Sequence, residues 1–236
     1  MNVFAIRHGE TAWSLSGQHT GTTDIPLTDN GRQLAQRMRP VLATKSFGLV
    51  LCSPMQRARE TCELAGFGEK AVIDSDLLEW NYGEYEGLTP KQIHEMAPGW
   101  LIFRDGCPGG EAPEQVGARV DRVIARSRAV DGDTALFAHG HVLRVFVARW
   151  IGLPASGGQH FLLNTGTLCV PTTAKYPLCG SGTDLSSSRA VIGHIRSWTH
   201  AMHCPGGTTF GNRRTVDATV QEQARDHQRP VRRRPS

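Results

Sequence analysis

The sequence predicts an α/β protein, a three-layer α/β/α sandwich whose central sheet is mainly parallel. Short apolar runs, which are typical of buried strands, alternate with longer segments that begin with helix-capping residues. Polar residues follow several of these runs directly, and the carboxyl ends of parallel strands are where such sheets bind ligands. With 236 residues, 39% of them hydrophobic and 20% charged, the composition is that of a globular protein.

The first predicted strand, residues 3–6, brings Arg7, His8 and Gly9 to its carboxyl end. An arginine fork matches the oxygens of a phosphate group, and an imidazole can attack phosphorus. The glycine would let the backbone approach a ligand closely. We interpret this strand end as a phosphate-handling site. The alternative is a surface Arg-His pair, and the rest of the chain must decide between the two.

The next segment, residues 12–26, is rich in Gly, Ser and Thr and predicts a loop. Small polar groups in this loop are able to bond phosphate oxygens. We therefore predict a substrate-binding role for Ser14, Gln18, Thr20 and Gly21.

A helix should follow the loop, with Thr28 as its N-cap. Leu34, Met38 and Val41 have the spacing of a core-facing stripe, and Pro40 is expected to end or bend the helix.

A second strand, residues 47–52, leads into Ser53-Pro54, the expected cap and first residue of another helix. Arg57 lies in the first turns of this helix, where the helix N-terminus already favours an anion. A second arginine at this position can complete a phosphate cradle.

The second half of the chain supplies the remaining predicted elements. Strands are expected at residues 72–73 and 134–138, and helices at 89–96, from 113 onward, and at 142–151. Residues 98–112 predict a long irregular insertion. We expect it to cover the site, because loops of this length are usually functional. Residues 160–170 predict a turn between short strands.

Four motifs, taken together, resemble the histidine phosphatase superfamily, in the branch that holds the cofactor-dependent phosphoglycerate mutases and many small phosphatases. They are Arg-His-Gly-Glu-Thr at 7–11, Ser-Pro-x-x-Arg-Ala-x-x-Thr at 53–61, Leu-x-Glu-x-x-x-Gly-x-x-Glu-Gly at 77–87, and His-Gly at 139–140. The resemblance covers about residues 3–170, and it implies a phosphoglycerate mutase-like fold.

The resemblance also implies the roles of the catalytic residues. His8 is the candidate nucleophile, with Nδ1–H donating to a backbone carbonyl so that Nε2 can attack phosphorus. Arg7, Arg57 and His139 would surround the phosphoryl oxygens, and Glu79 would be the proton donor. Tyr82, Gly140 and His141 are further predicted substrate-binding residues, and Glu86 is expected to fix the loop that carries Glu79.

These residues predict a metal-independent phosphomonoester hydrolase that forms a phosphohistidine on a small phosphorylated metabolite, a sugar phosphate or bisphosphate. We expect no cofactor, and no cluster of carboxylates suggests a metal site. Residues 13–21 lack the asparagines that usually follow the tryptophan in the mutases, and they look closer to small acid phosphatases and sugar-bisphosphate phosphatases of the family. The alternatives are a cofactor-dependent phosphoglycerate mutase and a non-catalytic protein that binds a phosphorylated ligand.

The predicted catalytic domain is residues 1–170, and residues 171–236 form an atypical basic tail. The tail holds ten Lys or Arg and four Asp or Glu, a net charge of +6. The other 16 basic and 18 acidic residues leave residues 1–170 at −2. We favour a largely disordered tail over a basic arm for nucleic acid, and a shifted reading frame would also explain its lost patterning. A dimer is one candidate oligomeric state.

No apolar run has the length of a membrane span, and no room for a signal peptide precedes Arg7. We therefore expect a cytoplasmic protein with no membrane partner. The six cysteines include no C-x-x-C pair, which favours reduced thiols over a disulfide framework or a zinc site.

Overall fold

The computed structural model describes residues 1–171. Five strands of this part form one central sheet in the order β3-β2-β4-β1-β5. All neighbouring strands are parallel except β5, which runs antiparallel to β1. The strands are β1 (Val3–Arg7), β2 (Phe47–Cys52), β3 (Val72–Ile73), β4 (Asp133–Ala138) and β5 (Leu168–Cys169).

Helices and short 3-10 turns connect the strands. The helices are α1 (Ala12–Ser16), α2 (Asp29–Leu42), α3 (Gln56–Leu64), α4 (Pro90–Met96), α5 (Ile102–Asp105), α6 (Pro113–Arg128) and α7 (Gly140–Trp150). The 3-10 turns are Gly68–Lys70, Ser75–Leu77, Gly83–Tyr85 and Ala155–His160.

Two apolar clusters cover the two faces of the sheet, because successive side chains of a strand point to opposite faces. On one face, Phe4 and Ile6 of β1 pack with residues of α2 and α3. On the other face, Val3 and Ala5 of β1 pack with residues of α6 and α7. This arrangement confirms the predicted three-layer α/β/α sandwich with a mainly parallel sheet.

The loop prediction for residues 12–16 and the core position predicted for Val41 were wrong. Residues 12–16 form α1 inside the predicted loop, because Thr11 and Ser14 make a capping box. Val41 is 43% exposed, and it is Leu42 that enters the core. Pro40 lies inside α2, which continues for two more residues.

The predicted cap at Ser53-Pro54 is also wrong. Helix α3 begins at Gln56 with Met55 as its N-cap residue and no side-chain cap. The Ser53 hydroxyl accepts the Met55 N–H at 3.4 Å and lies 2.7 Å from a ring nitrogen of His139. Local sequence does not show the contact with His139, which spans 86 residues.

The insertion at residues 98–112 contains α5 and belongs partly to the core. Trp100, Ile102, Phe103 and Cys107 are buried in the same apolar cluster as α6 and α7. The predicted turn at 160–170 leads into one short strand, β5. The predicted tail, apart from residue 171, lies outside the described residues.

Candidate active site

Three neighbouring strands end at the same edge of the sheet. Arg7 at the end of β1 pairs in register with Ala138 at the end of β4, so that His8 and His139 follow adjacent strand ends. Their ring centroids lie 5.1 Å apart. Ser53 follows β2, on the other side of β4. The motifs that lie far apart in the sequence therefore meet at one site.

His8 is buried, and its Nδ1 lies 2.7 Å from the carbonyl oxygen of Gly9. A carbonyl oxygen only accepts, so Nδ1 carries the hydrogen and Nε2 keeps its lone pair. Burial holds the pKa of His8 well below 6.5, and Arg7 and Arg57 lower it further, against a smaller opposing effect of the Gly9 carbonyl. The imidazole is therefore neutral at physiological pH, as a nucleophile requires.

Gly9 has a packing reason to be glycine. A Cβ atom at this position would overlap the carbonyl oxygen of Gly31 in α2. The Gly9 N–H donates to the hydroxyl of Thr61 at 3.0 Å. The sequence predicts close approach of a ligand at this glycine, whereas the structure shows close approach of a helix.

Arg7 is largely buried beside His8. One terminal nitrogen donates to the carbonyl of Leu163 at 2.6 Å, and Nε has no partner among the described residues. A Cβ atom on Gly140 would lie 3.1 Å from the guanidinium carbon, so the glycine allows α7 to begin against this arginine. Burial lowers the pKa of Arg7, and the negative charge of Glu79 opposes that effect.

Arg57 is fully buried. Its Nε donates to Nδ1 of His139 at 3.1 Å. Its terminal nitrogens donate to the backbone carbonyls of Thr20, Gly21 and Thr23 at 3.0 to 3.1 Å. The guanidinium therefore ties the loop before α2 to the histidine, in addition to supplying positive charge at the site.

His139 is fully buried between Arg57 and Ser53. Nδ1 accepts from Arg57, so the hydrogen lies on Nε2, which is 2.7 Å from the Ser53 hydroxyl. Burial holds the pKa of His139 well below 6.5, and the charges of Arg57 and Arg7 lower it further. His139 is thus a neutral donor at the site.

Glu79 is 7% exposed, and its carboxylate accepts three backbone N–H groups. Two come from the first turn of α7, His141 at 3.0 Å and Val142 at 2.8 Å. The third comes from Trp80 at 3.0 Å. The first turn of a helix carries partial positive charge, so α7 holds this acidic side chain at the site.

Tyr82 and His141 form a hydrogen-bonded pair, with the phenol oxygen 2.6 Å from Nδ1 of His141. Burial raises the pKa of Tyr82 well above 10, and the charge of Glu79 adds to that effect. Burial, with smaller effects of Arg144 and His19, lowers the pKa of His141 well below 6.5.

His19 was missed by the sequence interpretation. Its ring stacks parallel to that of His141 with centroids 5.9 Å apart, and its Nδ1 lies 2.9 Å from the Leu88 carbonyl. Burial lowers the pKa of His19. Its place in the polar loop 13–21 was the one signal available, because no spacing rule connects it to His141.

The four predicted loop residues bond to their own protein surroundings. The Ser14 hydroxyl completes the cap of α1, and the Gln18 side-chain amide donates to the Gly87 carbonyl at 2.8 Å. The Thr20 hydroxyl donates to the Gln18 carbonyl at 3.2 Å. The Gly21 N–H donates to the Glu86 carboxylate, at 2.9 Å from its nearer oxygen. Glu86 was expected to fix the segment that carries Glu79, and its carboxylate instead holds the backbone of Gly21 and Thr23 in the loop before α2. The phosphate-binding roles of the four residues stay predictions.

No group of three or more His, Cys, Asp or Glu side chains is arranged to hold a metal ion among residues 1–171. No helix in the same range is long and apolar enough to cross a membrane.

One edge of the parallel sheet holds a neutral buried imidazole, two buried guanidinium groups and a carboxylate at a helix N-terminus. These groups define an α/β protein equipped for phosphoryl groups. The chain belongs to the histidine phosphatase superfamily, branch 1, whose family model matches residues 3–176.

Similar proteins agree with this assignment. An acid phosphatase of Mycobacterium tuberculosis is 41% identical over 170 residues, which cover 70% of this chain and 83% of that protein. A sedoheptulose 1,7-bisphosphatase of Saccharomyces cerevisiae is 38% identical over 180 residues, 63% of this chain and 66% of that protein. The solved structure of an open reading frame of Mycobacterium tuberculosis is 39% identical with a TM-score of 0.69, covering 72% of this chain and 89% of the other.

Proposed function

We propose that this protein hydrolyses phosphomonoesters of small metabolites through a phosphohistidine formed on Nε2 of His8. The observation that carries the proposal is the state of His8. Its hydrogen is held on Nδ1 by the Gly9 carbonyl, and burial beside Arg7 and Arg57 keeps the ring neutral. A neutral imidazole with a free Nε2 lone pair next to fixed cations is suited to attack phosphorus.

The reaction has two steps. First, Nε2 of His8 forms a bond to phosphorus, the ester P–O bond breaks, and Glu79 in its protonated form gives its proton to the leaving oxygen. Then Glu79 takes a proton from water as that water attacks phosphorus, the P–N bond breaks, and phosphate leaves. Arg7, Arg57 and His139 stabilise the charge on the phosphoryl oxygens in both steps.

Sugar phosphates and sugar bisphosphates are the substrates that we expect. The names of the two similar proteins, an acid phosphatase and a sedoheptulose bisphosphatase, support phosphate release from small molecules. A screen across sugar phosphates, sugar bisphosphates and phosphoglycerates would identify the preferred ester. Interconversion of phosphoglycerate isomers that outpaces phosphate release would favour the mutase alternative.

The direct test is covalent labelling. The protein is mixed with a labelled aryl phosphate in excess chelator, quenched, and assayed for protein-bound phosphate. We expect labelling and turnover in the unchanged protein, neither in His8→Asn, and both in His160→Asn, whose histidine is exposed. Activity that disappears with chelator and returns with magnesium would contradict the metal-independent mechanism. Labelling that survives in His8→Asn would contradict the assignment of His8 as the nucleophile.

A further inference from the structure

Arg119 in α6 is 8% exposed and uses all five N–H donors of its guanidinium. Two hydrogen bonds reach the Glu111 carboxylate, from Nε at 2.8 Å and from one terminal nitrogen at 3.0 Å. The other three reach backbone carbonyls of the loop that carries the proposed proton donor. They are those of Asp76 at 2.8 Å, Leu78 at 2.6 Å and Glu79 itself at 3.1 Å.

Glu111 holds the same loop from its other end. Its carboxylate also accepts the N–H of Asn81 at 2.8 Å, and its backbone N–H donates to the Asn81 carbonyl at 2.9 Å. Its carbonyl accepts from the Trp80 indole at 2.8 Å. The Arg119–Glu111 pair therefore fixes the backbone on both sides of Glu79.

We propose that Arg119 is a positioning residue for proton transfer, which acts through the backbone of Glu79. This inference rests on the proposed role of Glu79 as the proton donor. The carboxylate end of Glu79 is held by His141 and Val142 of α7, and its backbone end is held by Arg119. Loosening one end lets the carboxyl group move away from the leaving oxygen, and a displacement of about 1 Å can cost roughly 100-fold in rate.

Arg122, one turn further along α6, provides a matched control. It bonds to the Asp76 side chain and not to the backbone around Glu79, and its own side chain is 59% exposed. Exposed ion pairs contribute little to stability. The two arginines share a helix and a loop, but only Arg119 reaches the backbone of the proton donor.

The test replaces each arginine by lysine, since an ammonium group keeps the charge but offers three donors and no planar fork. The measured quantity is kcat/KM over a series of phosphate esters, from activated aryl phosphates to unactivated alkyl phosphates, because a poor leaving group needs the proton most. We expect Arg119→Lys to lose about 10- to 100-fold on alkyl phosphates and less than about threefold on the most activated aryl ester. Arg122→Lys should stay within about twofold throughout.

A double variant then separates positioning from general damage. If Arg119 acts through Glu79, Arg119→Lys should add little to the loss already caused by Glu79→Gln, because the two changes remove one function. Equal loss on all esters, or a full additional loss in the double variant, would overturn the inference while leaving Glu79 as the donor.

Two controls keep the test decisive. The loss of kcat/KM in Glu79→Gln alone must be largest on alkyl phosphates. An equal loss on alkyl and activated aryl esters would overturn the role of Glu79 and this inference with it. If Arg119→Lys does not fold, as judged by its melting temperature, Glu111→Gln replaces it, since the amide keeps the shape of the partner and removes its charge. The same dependence on leaving group is expected, and its absence would overturn the inference.

Discussion

Replacing Thr61 with valine is expected to destabilise the protein and to lower its activity, because the Thr61 hydroxyl connects α3 to Gly9, the residue after His8. The fully buried hydroxyl donates to the Arg57 carbonyl at 2.7 Å and accepts the Gly9 N–H at 3.0 Å. Valine has nearly the same shape but cannot accept a hydrogen bond. The Gly9 amide would then stay buried without a partner, and Gly9 is also the residue whose carbonyl orients His8.

The expected loss of stability follows from the unpaired N–H of Gly9. Leaving a buried donor unsatisfied costs about 1–3 kcal/mol. For a domain of this size, each kcal/mol lowers the melting temperature by about 2–4 °C, which predicts a decrease of about 2–12 °C. The kcat should fall as well, because the His8 ring loses the fixed position of its carbonyl acceptor.

Thr134 offers a matched control in β4. It is also fully buried, but its hydroxyl has no hydrogen-bond partner among residues 1–171. Thr134→Val removes an unpaired buried hydroxyl, so we expect the melting temperature to rise by about 2–4 °C, the equivalent of about 1 kcal/mol, with kcat unchanged.

The assay is thermal unfolding of the full chain followed by circular dichroism, with phosphate release measured on the same samples. Opposite shifts in the two variants would support the reasoning. Decreases of equal size in both variants would refute it, because the loss would then come from the substitution type and not from the Thr61 hydrogen bonds.

Three further outcomes are expected. Gly9→Ala should lower the melting temperature and kcat together, since the added methyl meets the Gly31 carbonyl; unchanged values would contradict this packing. The free energy of unfolding should fall as pH drops from about 6.5 towards 5 and stay level above, because His8, His139 and His141 are held neutral when folded and the unfolded chain binds more protons there. Each of the three contributes up to about 1.4 kcal/mol per pH unit, and urea titrations showing a level profile would refute this. A chain ended after residue 176, the last matched to the family, should still hydrolyse an aryl phosphate; a folded but inactive product would show that the tail contributes to the site.

Much of the site was predictable from the sequence because it depends on local order. When a short apolar strand joins a sheet in parallel with its neighbours, the residues that follow it lie at the carboxyl edge of that sheet. Arg7-His8 after β1 and His139-Gly140 after β4 therefore met at one edge, as their positions predicted. The side-chain chemistry of arginine and histidine was enough to suggest a phosphoryl group.

The partner of each polar group was decided by tertiary structure. Ser53 looked like a helix cap. In the folded chain, Ser53 bonds to a histidine 86 residues away, and the backbone carbonyls of Thr20 and Gly21 accept hydrogen bonds from Arg57. Hydrogen bonding depends on distance in space and not on spacing along the chain, so motifs could not show these partners. Arg119 is the strongest case, since it belongs to no motif, and only the packing of α6 beside residues 76–79 and Glu111 gives it five hydrogen bonds.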